Sequence, residues 1–136
     1  MIRNIKKYMQ FIDYSDLWAV TPAVSGDIDL CYMYKGAFVF VEYKTGVHTR
    51  VKQSQLSMYR TICDALNKAG HPATFCIACH EQNEGTVNGA NVYVREAYYK
   101  GDIMPVIDYT VKDYLKWFFE ENNRHIEFRS DFDETK

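Results

Sequence analysis

Ala37-Phe38-Val39-Phe40-Val41-Glu42-Tyr43-Lys44 is the stretch on which the fold turns. Side chains along a strand point to opposite faces in turn, so an unbroken apolar run from Phe38 to Val41 is apolar on both faces. A strand of that kind is covered on both sides and lies inside a sheet rather than at its rim. The run then stops at Glu42 and Lys44, two charges on one face of the same strand. An unpaired charge at such a place is costly, so this end of the strand needs a partner or a task.

Reading outward, Ile28 to Tyr34 is a second strand, joined to Ala37–Lys44 through Lys35-Gly36, a length suited to a hairpin. Thr45-Gly46 ends the central strand. A helix is expected from about Thr49 to Ala69, with Val51, Gln55, Met58, Tyr59, Ile62 and Leu66 on one side, stopped by Gly70 and Pro72. Phe75 to Cys79 reads as another buried strand, and a strand–helix–strand unit of this length implies parallel pairing. Glu81 to Gly89 is polar loop, and Val92 to Tyr98 alternates as a strand does. A further hairpin through Lys100-Gly101 is one reading of the segment from Tyr99 to Asp108. Thr110-Val111-Lys112-Asp113 resembles a helix-start box before Tyr114, Leu115, Phe118 and Phe119.

At the N-terminus, Ile2, Ile5, Met9 and Ile12 form one stripe of an amphipathic helix ending near Tyr14-Ser15-Asp16, and Trp18 to Ser25 is irregular. Residues from about 123 to 136 are expected to be a frayed acidic tail. The expected architecture is one domain over residues 1–136, an α/β fold with three α/β/α layers around a mixed central sheet.

The length of 136 residues suits a single core, and 47% hydrophobic with 25% charged residues is ordinary for a globular protein. No apolar run reaches the roughly 20 residues that span a membrane, and no signal-peptide core follows the charged start, so an intracellular, cytoplasmic protein without a membrane partner is expected. The net charge of −2 does not announce a nucleic-acid binder. Its distribution is uneven: from Lys44 to Arg60 the chain carries Lys44, His48, Arg50, Lys52 and Arg60 and no acid. Such a stretch is more often a solvated helix face, unless its neighbours give it a task.

Those neighbours are Ser25-Gly26-Asp27-Ile28-Asp29 and Val41-Glu42-Tyr43-Lys44. Asp27 and Asp29 share one strand face, Glu42 and Lys44 another, and the hairpin sets the two strands side by side. Strand carboxylates suit a hard divalent cation such as Mg²⁺, which takes oxygen ligands and keeps positions open for water and phosphate. A lysine two residues past the glutamate then orients the attacking water or stabilises charge on the phosphate. The plain alternative is an exposed ion pair of Lys44 with Glu42 or Asp29.

The order strand-Asp, strand-Glu-x-Lys, helix resembles the PD-(D/E)XK nuclease superfamily. Gly26-Asp27-Ile28-Asp29 with Glu42-Tyr43-Lys44-Thr45-Gly46 is most similar to its RecB-like branch, and Gln55-Leu56-Ser57-Met58-Tyr59 fits the Gln-x-x-x-Tyr motif of that branch. The resemblance covers residues 26 to 80. It implies a restriction-endonuclease-like core and hydrolysis of phosphodiester bonds in DNA with Mg²⁺ or Mn²⁺ as cofactor. Asp29 and Glu42 would hold the metal, with the Tyr43 carbonyl as a third ligand and Asp27 as the alternative to Asp29. Lys44 and Gln55 would act beside them, and Arg50, Lys52, Tyr59 and Arg60 would contact the nucleic acid. The chain departs from the branch in having no histidine before Asp29; the first is His48, and Asp13 or Asp16 would be the substitute acid.

Cys76-Ile77-Ala78-Cys79-His80 invites a zinc reading, but thiols three apart on a strand point to opposite faces, and buried structural cysteines are the better reading of all four. Tyr98-Tyr99 and Trp117-Phe118-Phe119 are candidates for base stacking; core packing or a contact between copies in a homo-oligomer suits the second. The competing function is a non-catalytic module that keeps the fold and binds nucleic acid or a protein.

Overall fold

The computed structural model describes residue 16 and residues 28–82 and 85–132. Five strands form one mixed sheet in the order of the sequence: β1 (Leu30–Tyr34), β2 (Ala37–Thr45), β3 (Ala73–His80), β4 (Tyr93–Tyr99) and β5 (Asp102–Pro105). β2 and β3 run parallel, and the other neighbours are antiparallel. Helix α1 (Gln53–Lys68) makes the crossover between the parallel strands, and α2 (Val111–Glu121) follows the sheet.

Both two-residue hairpins use Lys-Gly. Lys35 and Gly36 have φ of 48° and 75°, Lys100 and Gly101 of 51° and 89°, the left-handed pair whose twist matches that of the flanking strands. Glycine at the second place removes the steric cost of that conformation.

The double-sided apolar character of β2 is explained by what covers it. Ala37, Val39 and Val41 meet Cys76, Ala78, Tyr114, Leu115, Phe118 and Phe119 on the α2 side. Phe40, Phe75 and Tyr98 meet Tyr59 and Cys63 on the α1 side. On the α1 side the rings of Tyr59, Phe75 and Tyr98 stack in series, with centroids 5.0 and 5.3 Å apart. Cys63 is a fully buried residue of α1, whereas Ile62 and Leu66, expected on the core stripe, are only partly buried. Thr74, buried in β3, is satisfied by the Tyr98 carbonyl and the Tyr114 hydroxyl, both at 2.7 Å.

Two expectations are corrected. Helix α1 begins at Gln53 rather than near Thr49, because Gly46 to Lys52 are held in a loop: the Arg95 guanidinium donates to the carbonyls of Val47 and Thr49 at 3.1 and 2.6 Å. The segment after α2 does not fray through residue 132. Arg124 donates twice to the Lys35 carbonyl, at 2.9 and 2.7 Å, and Phe128 packs against the α2-side core. Asp131 pairs with Lys112 and Lys116. The expected N-terminal helix, the irregular stretch after it, and residues 133–136 lie outside the described residues.

Candidate active site

Glu42 is the sixth residue of β2 and the point where its apolar face ends. It is 4% exposed. Burial of a carboxylate requires partners on both oxygens, and the chain supplies them from different elements. Oε2 accepts from the Tyr59 hydroxyl at 2.9 Å, and Oε1 pairs with Lys44 Nζ at 3.2 Å. Tyr59, itself 1% exposed, has its ionisation pushed far up by burial and then by the Glu42 carboxylate beside it. It therefore stays a neutral donor across the working pH range.

Asp29 precedes β1. Extending the β1–β2 register one pair beyond Leu30–Val41 sets it opposite Glu42, where Cβ atoms of facing residues are about 4.5–5.5 Å apart. Its Oδ2 accepts from the Tyr43 backbone N–H at 2.9 Å. The Tyr43 phenol lies on the opposite face and donates to the Gly89 carbonyl at 3.1 Å. Burial first, with the Asp29 carboxylate adding to it, pushes its ionisation up to about 12.

Helix α1 crosses above this end of the sheet and has two flanks. Gln55 is half-buried one turn before Tyr59, on the helix face that carries the donor to Glu42. On the other flank Leu56 packs with Val51, Ile77 and Cys79, Arg60 lies over the Tyr98 ring at 5.7 Å, and Asp64 accepts from the Tyr98 hydroxyl at 2.7 Å. Arg50 and His48 also belong to that second flank: with Gln53, Leu56, Arg95 and Glu96 they line a cavity of about 460 Å³. Lys52 is exposed at the start of α1.

The structure thus brings Asp29, Glu42, Tyr43, Lys44 and Tyr59 together, with Gln55 one turn away. It sets Arg50 and Arg60 on the far flank of α1. Tyr59 is corrected from a nucleic-acid contact to a buried partner of Glu42, since the same aromatic ring stacks on Phe75 in the core. The other proposed base-stacking groups are also occupied. Tyr98 is buried, Tyr99 meets Trp117 edge-on at 5.2 Å, and Phe118 and Phe119 are fully buried. Asp13 and Asp27 lie outside the described residues, and Asp16 is exposed. Cys76 joins the core on the α2 side and Cys79 that on the α1 side, so the Cys-x-x-Cys pair does not converge.

Arg95 is a residue the sequence reading missed. It lies at the register shift opposite Ile77 and Ala78, and its partners Val47 and Thr49 are more than 40 positions away in the chain. No local pattern signals such a contact.

Among the described residues no three His, Cys, Asp or Glu side chains gather closely enough to hold a metal ion. Asp29 and Glu42 are a two-carboxylate oxygen set, the number with which Mg²⁺ is commonly held while it keeps its own waters. No helix among the described residues is long and apolar enough to cross a membrane. No family model, curated protein or solved structure matches this chain.

Proposed function

We propose that this chain is a metal-dependent nuclease that hydrolyses phosphodiester bonds in DNA, built on a three-layer, restriction-endonuclease-like core of the PD-(D/E)XK type and closest to the RecB-like branch. One observation carries the reading: a buried glutamate where the apolar face of a central strand ends, held by Tyr59 and Lys44, lies near an aspartate that precedes the neighbouring strand and accepts from the next backbone N–H, that of Tyr43. Structural ion pairs are ordinarily exposed, whereas this one sits where a carboxylate is expensive to keep.

Asp29 and Glu42, with the Tyr43 carbonyl, are the groups that would hold Mg²⁺ or Mn²⁺. The metal would polarise the phosphate and lower the pKa of a bound water. Lys44 sits at Glu42 with one oxygen as its partner, close enough to orient the water or to neutralise charge as it grows on the phosphate. Tyr59 fixes the Glu42 rotamer from the core side, and Gln55 extends the same helix face toward the substrate. The cations on the far flank of α1, Arg50 and Arg60, would track phosphates beyond the cleaved bond.

A second reading rests on a specific observation: both oxygens of Glu42 already have protein partners. A non-catalytic module that keeps the fold to bind nucleic acid or a protein would keep that pairing as a structural device. Labelled single strands, duplexes, junctions and RNA incubated with Mg²⁺, Mn²⁺ or EDTA separate the two. Metal-dependent hydrolysis lost in Glu42→Gln is the expected result. Binding without hydrolysis of any form under either metal decides for the module.

A further inference from the structure

On the opposite side of the sheet from α1, a cavity of about 330 Å³ opens beside Asp29. Its walls are Asp29, Leu30, Tyr43, His80, Val87 and Gly89. Tyr43 and His80 come from neighbouring parallel strands, β2 and β3, and are of one parity in the register, so both rings stand on the α2 side. Leu30 and Val87 give apolar walls, and the Tyr43 hydroxyl is fixed on the Gly89 carbonyl. His80 Nδ1 is buried and has no hydrogen-bond partner among the described residues. Buried polar atoms are nearly always partnered in folded proteins, so a lone ring nitrogen at the wall of a cavity marks a missing partner.

We propose that this cavity takes an unpaired nucleobase, with the His80 ring as the flat wall on which it stacks. Flat aromatic walls with one or two polar groups match a heteroaromatic ring. Asp29 is common to the cavity and the proposed carboxylate pair, so the two meet at this end of the sheet, one on each face. A base inside a duplex is stacked and paired and cannot enter. The site therefore selects single strands or a nucleotide turned out of its helix. This inference rests on the nuclease reading only for what lies on the other side of Asp29.

The test is fluorescence anisotropy with a labelled twelve-nucleotide single strand and its duplex, in EDTA so that nothing is cut. His80→Ala is expected to weaken single-strand binding by about 5- to 150-fold, the range for loss of one stacked base. His80→Phe, which keeps a flat ring, recovers most of it, and duplex binding stays as it was. Val87→Phe fills the cavity from the opposite wall and is expected to cause the same loss. A single abasic nucleotide should reproduce the loss at one position in the strand and add nothing in His80→Ala. Equal affinities for the parent and both cavity variants, or no single-strand binding by the parent, overturn the base pocket. Binding that depends on His80 without hydrolysis under Mg²⁺ or Mn²⁺ overturns the nuclease reading and leaves the pocket standing.

Discussion

Glu42 has one donor from the core side, Tyr59, and one from the open side, Lys44, and the two carry different expectations. Tyr59→Phe keeps the ring stack but strips a hydrogen bond from a buried carboxylate, at a cost of about 1–3 kcal/mol in urea denaturation. Lys44→Ala leaves both carboxylates, so Mg²⁺ binding measured by calorimetry should persist while turnover falls by about 10² or more. If Lys44→Ala keeps full turnover, the lysine has no part in the chemistry. Asp131 makes a pH test of the segment after α2. Hydrogen bonds from Lys112 and then Lys116 hold its carboxyl down at about 2, against an ordinary 3.8. A carboxylate depressed on folding stabilises the protein above its unfolded value, and that contribution fades as pH drops from about 4 toward 2. Asp131→Asn should therefore lower the melting temperature at neutral pH, with the difference from the parent shrinking as pH falls through that window, which flattens the acid side of the profile.

At the scale of elements, helix α2 starts with a complete reciprocal cap: Thr110 accepts from the Asp113 N–H at 3.2 Å, and Asp113 accepts from the Thr110 N–H at 3.1 Å. Thr110→Ala is expected to cost about 0.5–2 kcal/mol, read from the shift in the urea midpoint at constant slope. This cap was legible because its spacing is local, and so were the Lys-Gly hairpins and the double-sided burial of β2. The start of α1 was not. The Thr49–Lys52 segment carries no helix breaker, and the contacts that hold the loop before α1, among them the Arg95 side chain arriving from β4 on the Val47 and Thr49 carbonyls, come from distant parts of the chain. The same distinction runs through the site. Glu42 and Lys44 lie two residues apart on one strand, and Asp29 reaches them through a two-residue hairpin, so alternation alone could group them. The flank on which Arg50 and Arg60 fall, and the cavity around His80, depend on how a helix and a distant loop settle on the sheet.

Across the whole molecule, burial sorts the four cysteines without any disulfide. Cys31, expected to be buried like the other three, is instead exposed on β1; burial pushes the Cys63 thiol up to about 12 and raises Cys76 and Cys79 as well. A thiol reagent should therefore label one cysteine quickly in the native protein and all four in denaturant; rapid labelling of Cys63 or Cys76 would contradict the packing. The strand order has a consequence for synthesis. Each strand joins the side of the sheet left open by the one before it, and none is inserted between two already paired. The sheet can therefore assemble in the direction in which the chain leaves the ribosome. While β4 is still unmade, however, β3 presents an unpaired edge of Thr74-Phe75-Cys76-Ile77-Ala78-Cys79, a run with high strand preference and no charge. A nascent chain halted in the loop after His80 would then carry its most adhesive surface outward, and the pace of translation through residues 81–99 sets how long neighbouring ribosomes are exposed to it.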